Sequence, residues 1–243
     1  MPGDIAGRIV AARRAIAESA GRAGRDPDTV SIVAVTKTFP PAAAAAALAA
    51  GLTHLGENYV QEAAAKRGAV PGAAVWHLIG GLQRNKVRAA VGVFDRVDTV
   101  DSAALAVALG AEAKRAGCRL CVLIQVNVAG EASKGGVVPD GVEDLAKAVI
   151  AEPTLLLDGF MTVPPAPVEP EDSRPFFRRL RQVRDRTQDR LGVELPHLSM
   201  GMSSDFTVAV EEGATLLRLG RVLFGARGLG ASRPGSSTRG EGS

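Results

Sequence analysis

The stretch TVSIVAVTK, residues 29–37, is followed after a short turn by PAAAAAALAAG, residues 41–51. The first segment is rich in β-branched residues, which favour strands. The second begins at a pair of prolines, consists mainly of alanine and ends at a glycine, which is typical of a helix with clear start and stop signals. A strand that leads directly into a helix is the unit from which parallel sheets are built, so this stretch favours an α/β fold.

The same alternation of strand and helix continues along the chain. Seven further β-rich segments, each leading into a helical or turn segment, lie at 53–58, 74–81, 94–101, 119–129, 155–163, 196–200 and 214–220. An amphipathic helix from Asp4 to about Arg25 precedes them. Eight such units predict a single (β/α)8 TIM-type barrel with an extra N-terminal helix. An open doubly wound sheet is the alternative, since one sequence does not show closure.

Length and composition agree with one domain. At 243 residues and 46% hydrophobic content, the chain suffices for one barrel of roughly 250 residues. We expect the barrel domain to span residues 1–227 and the tail 228–243, rich in Gly, Ser and Arg, to be disordered. The net charge of +3 arises from scattered charges of both signs, so binding to nucleic acid is not indicated.

The two cysteines and the apolar segments bear on the cellular compartment. Cys118 and Cys121 form no disulfide framework and are too few for a metal site, so we expect neither a redox motif nor a bound metal. No run of about 18 apolar residues and no signal-peptide pattern occurs, which argues against a membrane span or secretion. The prediction is a cytoplasmic protein.

Lys37 is the first candidate site residue. Strand alternation places Val33, Val35 and Lys37 on one face of the first strand and residues 32, 34 and 36 on the other. A partly desolvated lysine at the end of a buried strand gives up its proton more readily, and its amine can then attack an aldehyde. The competing interpretation is a lysine whose ammonium reaches out to solvent.

Polar side chains on later strands are predicted to share the inward face. The same alternation groups His77 with Val75, and Arg218 with Leu216. A buried arginine on an apolar strand needs a hydrogen-bond acceptor. Each of these residues alone would more often be structural, but function in barrels of this type lies at the carboxyl ends of the strands, where several are expected to meet.

Two loops near the end of the chain are typical of phosphate binding. LSMGMSSD, residues 198–205, and RLGR, residues 218–221, follow the seventh and eighth strands, where such barrels often bind phosphate. The first loop offers Ser199, Gly201 and Ser203 ahead of a helix whose predicted N-cap is Ser203 or Ser204. The second adds Gly220 and Arg221. The alternative is that these are ordinary cap and turn residues.

Seven blocks of sequence resemble one known family, the pyridoxal-phosphate homeostasis proteins. In the family's order, between about residue 30 and 227, they are AVTKTFP, LGENYVQE, WHLIGGLQRNK, VNVAGEASKGG, GFMTVPP, LSMGMSSDF and LRLGRVLFGAR. The order of seven blocks makes the resemblance specific, whereas a single block would not.

The resemblance implies the barrel of alanine racemase and pyridoxal 5'-phosphate as cofactor, held as a Schiff base on Lys37. It implies that Arg218 faces the pyridine nitrogen and that the phosphate is held by Ser199, Gly201, Ser203, Gly220 and the backbone amide of Arg221. It further implies that Asn58 and His77 lie near the cofactor. The implied function is intracellular vitamin B6 homeostasis, with possible delivery of the cofactor to apoenzymes by a monomeric protein.

Two other functions are compatible with the sequence. One is a weak pyridoxal-phosphate-dependent racemase or lyase, although a guanidinium at Arg218 would discourage protonation of the pyridine ring and so weaken carbanion stabilisation. Tyr59, the single tyrosine, is expected to pack at a helix start rather than to transfer protons. The other is a barrel that binds a different phosphate compound, with Lys37 as a charge clamp.

Two positions depart from the family pattern. Family members commonly have proline where Gly81 stands and threonine where Arg221 stands. The phosphate would therefore lose a hydroxyl contact at Arg221 and gain either a backbone amide alone or a positive charge. We therefore expect this departure to change the strength of phosphate binding but not its place.

Overall fold

The computed structural model describes residues 5–131 and 134–225. Its strands are β1 (Ser31–Val35), β2 (His54–Glu57), β3 (Val75–Leu78), β4 (Arg96–Val100), β5 (Leu120–Gln125), β6 (Leu155–Met161), β7 (His197–Ser199) and β8 (Leu216–Leu219). Every strand runs parallel to its neighbours, and β1 pairs with β8. This pairing closes the sheet, which confirms the TIM-type barrel and excludes the open doubly wound sheet.

Helices surround the strands on the outside. Within the described ranges they are α1 (Ile5–Arg22), α2 (Pro41–Ala49), α3 (Val60–Ala69), α4 (Val87–Val91), α5 (Ala103–Ala116), α6 (Val142–Ile150), α7 (Arg174–Leu191), α8 (Phe206–Glu211) and α9 (Arg221–Phe224). The predicted leading helix is α1. Its predicted first residue, Asp4, and the predicted tail 228–243 lie outside the described residues.

The two faces of the strands bury different sets of side chains. Val33, Leu123, Met161 and Leu216 form a small cluster, whereas Ile32 and other residues of opposite parity belong to the larger core against the helices. The small cluster fills the interior of the barrel, because its members come from four strands and share the inward parity. The predicted inward direction of the Val33 and Leu216 faces is thereby confirmed.

The ends of two elements differ from the sequence prediction. Strand β1 ends at Val35 rather than at Lys37, because Thr38 adopts a left-handed backbone conformation with φ of 65° and the chain turns there. The predicted N-cap at Ser203 or Ser204 is wrong, since α8 begins at Phe206 with Asp205 before it. The Asp205 carboxylate instead accepts a hydrogen bond from the Met202 amide at 2.7 Å.

Helix α1 packs against the last unit of the barrel. Arg25, three residues after the end of α1, donates hydrogen bonds to the carbonyls of Val210 and Ala214, the second at 3.0 Å. Arg22 forms an ion pair with Glu211 at 2.7 Å. Helices α8 and α9 are short, so α1 supplies much of the cover over this part of the barrel.

Among the helices of the described ranges, none has the length and apolar character needed to cross a membrane.

Candidate functional site

A cavity of about 330 Å³ opens at the carboxyl ends of the strands. Its size falls within the usual range for small-molecule sites. Among the residues that line it are six of the nine predicted site residues, namely Lys37, Asn58, Ser203, Arg218, Gly220 and Arg221. Residues from the start, middle and end of the chain therefore meet around one space.

Lys37 reaches this cavity from the turn that follows β1. The side chain is half-buried, and Val35, two residues earlier, lines the same cavity. Phe39 also lines it and contacts the ring of Phe224, with centroids 5.0 Å apart. The predicted orientation of Lys37 towards the barrel mouth agrees with this geometry.

Arg218 is a buried cation in the wall of the cavity. Its Nη1 donates to Ser199 Oγ at 2.8 Å and its Nη2 donates to the carbonyl of Thr162 at 2.7 Å. Burial lowers the pKa of Arg218 to about 10, against the opposing influence of Asp98 and Asp205. The guanidinium is still charged at neutral pH, and the acceptors that a buried arginine requires are present.

Ser199 and Gly201 lie behind Arg218 and are absent from the residues that line the cavity. The carbonyl of Gly201 accepts a hydrogen bond from the Arg218 amide at 3.1 Å. Gly201 has φ of 88°, and a Cβ atom there would lie 2.5 Å from that of Ala209. The glycine lets the loop pass close to α8, and both residues fix the position of Arg218.

The two predicted phosphate loops touch each other. The amide of Val222 donates to Ser203 Oγ at 3.2 Å. Gly220 immediately precedes α9, whose first residue is the exposed Arg221. The loop hydroxyl, the backbone amides at the start of α9 and one arginine are thus close together, which is a suitable set of groups for an anion.

Asn58 lines the cavity directly after β2, and Gly80 packs against its backbone. A Cβ atom on Gly80 would lie 2.4 Å from the carbonyl oxygen of Asn58. Only a residue without a side chain allows the segment after β3 to approach so closely. In contrast, a Cβ atom on the neighbouring Gly81 would meet nothing within 4 Å.

His77 is fully buried in the barrel interior and does not line the cavity. Its Nδ1 lies 3.0 Å from Asp98 Oδ2 and its Nε2 lies 2.9 Å from His54 Nδ1. Burial alone would raise the pKa of Asp98, but His77, Arg96 and Arg218 lower it. His77 belongs to a polar cluster inside the barrel. Because it does not line the cavity, it can act on a molecule bound there only through neighbouring side chains.

Some cavity residues were not singled out in the sequence. Met202 lines it and lies beside Ser203 in the quoted loop 198–205, so its position was an available signal. Ser204, predicted from the sequence only as a helix N-cap, lines it as well. Val163 and Pro167 come from the loop after β6 and carried no such signal. The interpretation of Tyr59 as a packing residue is wrong, because the residue is 60% exposed.

Comparison with protein families gives one clear match. The family model described as "Alanine racemase, N-terminal domain" matches residues 13–228. This range includes all eight strands and every residue of the cavity described above.

Individual relatives share most of their length with this chain. The pyridoxal phosphate homeostasis protein of Pseudomonas aeruginosa is 43% identical over 228 residues, which are 93% of this chain and 97% of the relative. That of Aquifex aeolicus is 42% identical over 213 residues, or 87% and 93% of the two chains.

Among solved structures, PipY of Synechococcus elongatus PCC7942 with pyridoxal phosphate bound is 34% identical. It superposes with a TM-score of 0.80, covering 91% of this chain and 100% of PipY. Because sequence, fold and coverage agree, this chain belongs to the family of pyridoxal phosphate homeostasis proteins, which share the alanine racemase N-terminal domain.

Proposed function

We propose that this protein binds pyridoxal 5'-phosphate at the barrel mouth through Lys37 and serves to hold and release it in vitamin B6 homeostasis. The observation that carries the proposal is that Lys37, Arg218 and the two joined loops surround the same cavity. The names of the relatives and the PipY complex with pyridoxal phosphate support the same ligand.

The residues at the cavity fit this cofactor. A pyridoxal phosphate needs an amine for its aldehyde, a polar partner for its ring nitrogen and donors for its phosphate. Lys37 supplies the amine, the buried Arg218 supplies the charged partner, and Ser203 with the amides after Gly220 supplies the donors. The apolar side chains of Ile79 and Val163 line the same cavity and suit the ring.

Each residue then has a defined role. Lys37 would hold the cofactor through its side-chain amine, and a bound pyridoxal phosphate would supply the aldehyde chemistry at that point. Ser203 and the Gly220–Arg221 loop hold the phosphate, with Ser199 and Gly201 acting through Arg218. Arg218 remains protonated and can only donate hydrogen bonds, so it disfavours a proton on the ring nitrogen, which a carboxylate would stabilise.

That property of Arg218 favours binding over catalysis. A ring nitrogen without its proton is a weak electron sink, so removal of an α-proton from an amino acid is poorly assisted. The alternative from the sequence, a weak racemase or lyase, predicts exchange of the α-proton of amino acids in heavy water. We expect no exchange above the rate given by the free cofactor.

The proposal is tested by absorbance and mass mapping. Purified protein mixed with pyridoxal phosphate should gain a visible absorbance band that disappears on borohydride reduction, with the cofactor mass fixed on the Lys37 peptide. Lys37→Ala should lose both signals, while Lys114→Ala, a change of an exposed lysine on α5, should keep them. A reduced adduct on another lysine, or none in the unaltered protein, would overturn the proposal.

Three further sequence predictions stay predictions. They are the transfer of cofactor to apoenzymes, a monomeric state and a cytoplasmic location. Transfer can be followed by mixing the loaded protein with an apoenzyme and comparing the rate of activation with that given by the same concentration of free cofactor.

A further inference from the structure

A second lysine lies buried behind the wall of the cavity. Lys66, on α3, is 3% exposed. Its Nζ donates to the carbonyl of Thr36 at 2.6 Å, to Glu57 Oε1 at 2.7 Å and to Glu62 Oε1 at 2.7 Å. An ammonium has three N–H donors, so these contacts use all of them.

Lys66, Glu57 and Glu62 form a charge cluster. This cluster holds the peptide groups on both sides of Lys37. Lys66 donates a hydrogen bond to the carbonyl of Thr36, which belongs to the peptide group before Lys37. Glu62 Oε1 accepts a hydrogen bond from the N–H of Thr38, which belongs to the peptide group after Lys37. Since the two peptide groups of a residue fix the direction of its Cα–Cβ bond, the cluster sets the direction in which Lys37 leaves the backbone.

The turn at Thr38 needs such support. Among the residues that the structure describes, Thr38 is the single non-glycine residue with positive φ. A β-branched residue in this conformation costs on the order of 1–3 kcal/mol and persists where its surroundings enforce it. The hydrogen bond from its N–H to Glu62 is one enforcing contact.

The cluster also ties β1 to β2. Thr36 Oγ1 donates to Glu57 Oε1 at 2.5 Å, and the amide of Thr36 donates to the carbonyl of Gly56 at 3.1 Å. Glu57 directly precedes Asn58, another residue that lines the cavity. Two walls of the site are therefore fixed to one another through a buried carboxylate.

A buried charge cluster of this kind is an expensive way to gain stability alone. Burial raises the pKa of Glu57, against the opposing hydrogen bonds from Lys66 and Thr36, and Glu57 Oε2 has no hydrogen-bond partner within the described residues. Apolar side chains of similar size often stabilise a protein equally well. What they lack is the ability to hold a carbonyl and an N–H at defined points.

We propose that Lys66, together with Glu57 and Glu62, is a positioning group for Lys37, and that it speeds the covalent capture of the cofactor aldehyde. This inference rests on the proposed function. The attacking nitrogen must reach the aldehyde carbon in a narrow range of distance and angle, and misplacement by about 1 Å can cost about 100-fold in rate. Fixing the Lys37 backbone raises the fraction of molecules in that range without contributing to phosphate binding.

The test compares capture with simple binding. The probes are pyridoxal phosphate, followed by the rise of the absorbance band in rapid mixing, and 4'-deoxypyridoxine phosphate, which lacks the aldehyde oxygen and reports non-covalent affinity. Glu62→Ala removes the carboxylate from a side chain that is 25% exposed, so the fold should tolerate it. Glu62→Gln keeps an oxygen acceptor in the same place, and Gln61→Ala changes an exposed neighbour on the same helix.

We expect Glu62→Ala and Lys66→Met to slow capture about tenfold or more, with analogue affinity within about threefold of the unaltered protein. Glu62→Gln should restore most of the rate, and Gln61→Ala should leave it unchanged. The inference would be overturned if Glu62→Ala and Lys66→Met captured the cofactor as fast as the unaltered protein does. It would also be overturned if their capture rates fell only by the factor by which their affinity for the analogue fell. If Lys66→Met fails to fold, the three helix variants decide.

Failure of the proposed function has a different signature. An unaltered protein that binds the analogue but forms no adduct with pyridoxal phosphate would refute the role of Lys37 itself, and the positioning inference with it. An unaltered protein that forms the adduct at a rate independent of Glu62 and Lys66 would refute only the positioning inference.

Discussion

His54 Nδ1 lies 2.9 Å from His77 Nε2 inside the barrel, and the two rings are 5.1 Å apart between centroids. Burial, followed by His77 and Arg96, lowers the pKa of His54 from 6.5 to about 4. His54 is therefore neutral in the folded protein at all but acidic pH. Two imidazoles can approach this closely because at least one of them is uncharged.

This relationship predicts how stability depends on pH. Because the pKa of His54 is lower in the folded state, the unfolded chain binds the proton first as the pH falls. The contribution of neutral His54 to stability should be complete above about pH 6.5 and should be lost as the pH falls towards about 4. Over this range we expect the free energy of unfolding to decrease by about 2 kcal/mol, a value reduced to account for the partial exposure of His54. Urea unfolding at a series of pH values measures the slope.

The variant His54→Gln isolates this contribution. The free energy of unfolding of this variant should depend less on pH between about 6.5 and 4. Part of the dependence should remain, because burial also lowers the pKa of His197. Equal slopes in the variant and the unaltered protein would contradict the assignment to His54.

Gly80→Ala should disturb the site by steric overlap. The added Cβ would lie 2.4 Å from the backbone oxygen of Asn58, and overpacking of this kind costs about 1–3 kcal/mol. We expect lower thermal stability and weaker binding of pyridoxal phosphate. Gly81→Ala is the matched control, since its Cβ meets nothing within 4 Å; an equal loss in both variants would refute the steric explanation.

Ser203→Ala should weaken binding of the phosphate in particular. The Ser203 hydroxyl accepts from the Val222 amide and is available to donate to an anion in the cavity. Losing one such hydrogen bond costs about 1 kcal/mol, or about fivefold in affinity. Titrations with pyridoxal phosphate and with pyridoxal separate the effects, because pyridoxal affinity should change little. A parallel loss for both ligands would place Ser203 away from the phosphate.

Glu212→Gln should destabilise the fold without touching the site. Its carboxylate is 5% exposed and lies within 3.1 Å of Arg174, Arg178 and Arg181, and those contacts lower its pKa in spite of burial. Removing the charge should cost about 1–3 kcal/mol in urea unfolding. The control is Glu18→Gln, whose pair with Arg14 is exposed at 3.7 Å and should change stability by less than about 0.5 kcal/mol.

Much of the architecture was predictable from local patterns. Alternation along the strands correctly placed Val33 and Leu216 inside the barrel, because the two-residue period is a property of any extended chain. The alternation of strand and helix indicated eight units, and the acceptors that Arg218 needed were present as expected. The positions of the two loops at one cavity followed from the rule that carboxyl ends of parallel strands share one edge.

Other features depended on contacts that no local pattern contains. The early end of β1 arises from Thr38, whose left-handed conformation is enforced by Glu62, 24 residues later. In the sequence Lys66 is one charge on an ordinary helix, and its burial depends on the carbonyl of Thr36, directly after β1. The three-dimensional neighbours of His77 likewise come from β2 and β4 and are set by barrel register.

The packing of α1 against α8 and α9 has a consequence for synthesis on the ribosome. The apolar stripe of α1 includes Ile9 and Ile16, which are 2% and 3% exposed in the folded protein. Part of the surface that covers this stripe is formed by residues 206–224. While translation proceeds, that stripe stays uncovered until nearly the whole barrel has left the exit tunnel. The barrel therefore cannot close until its last unit has been synthesised, and until then α1 exposes an apolar surface on the nascent chain.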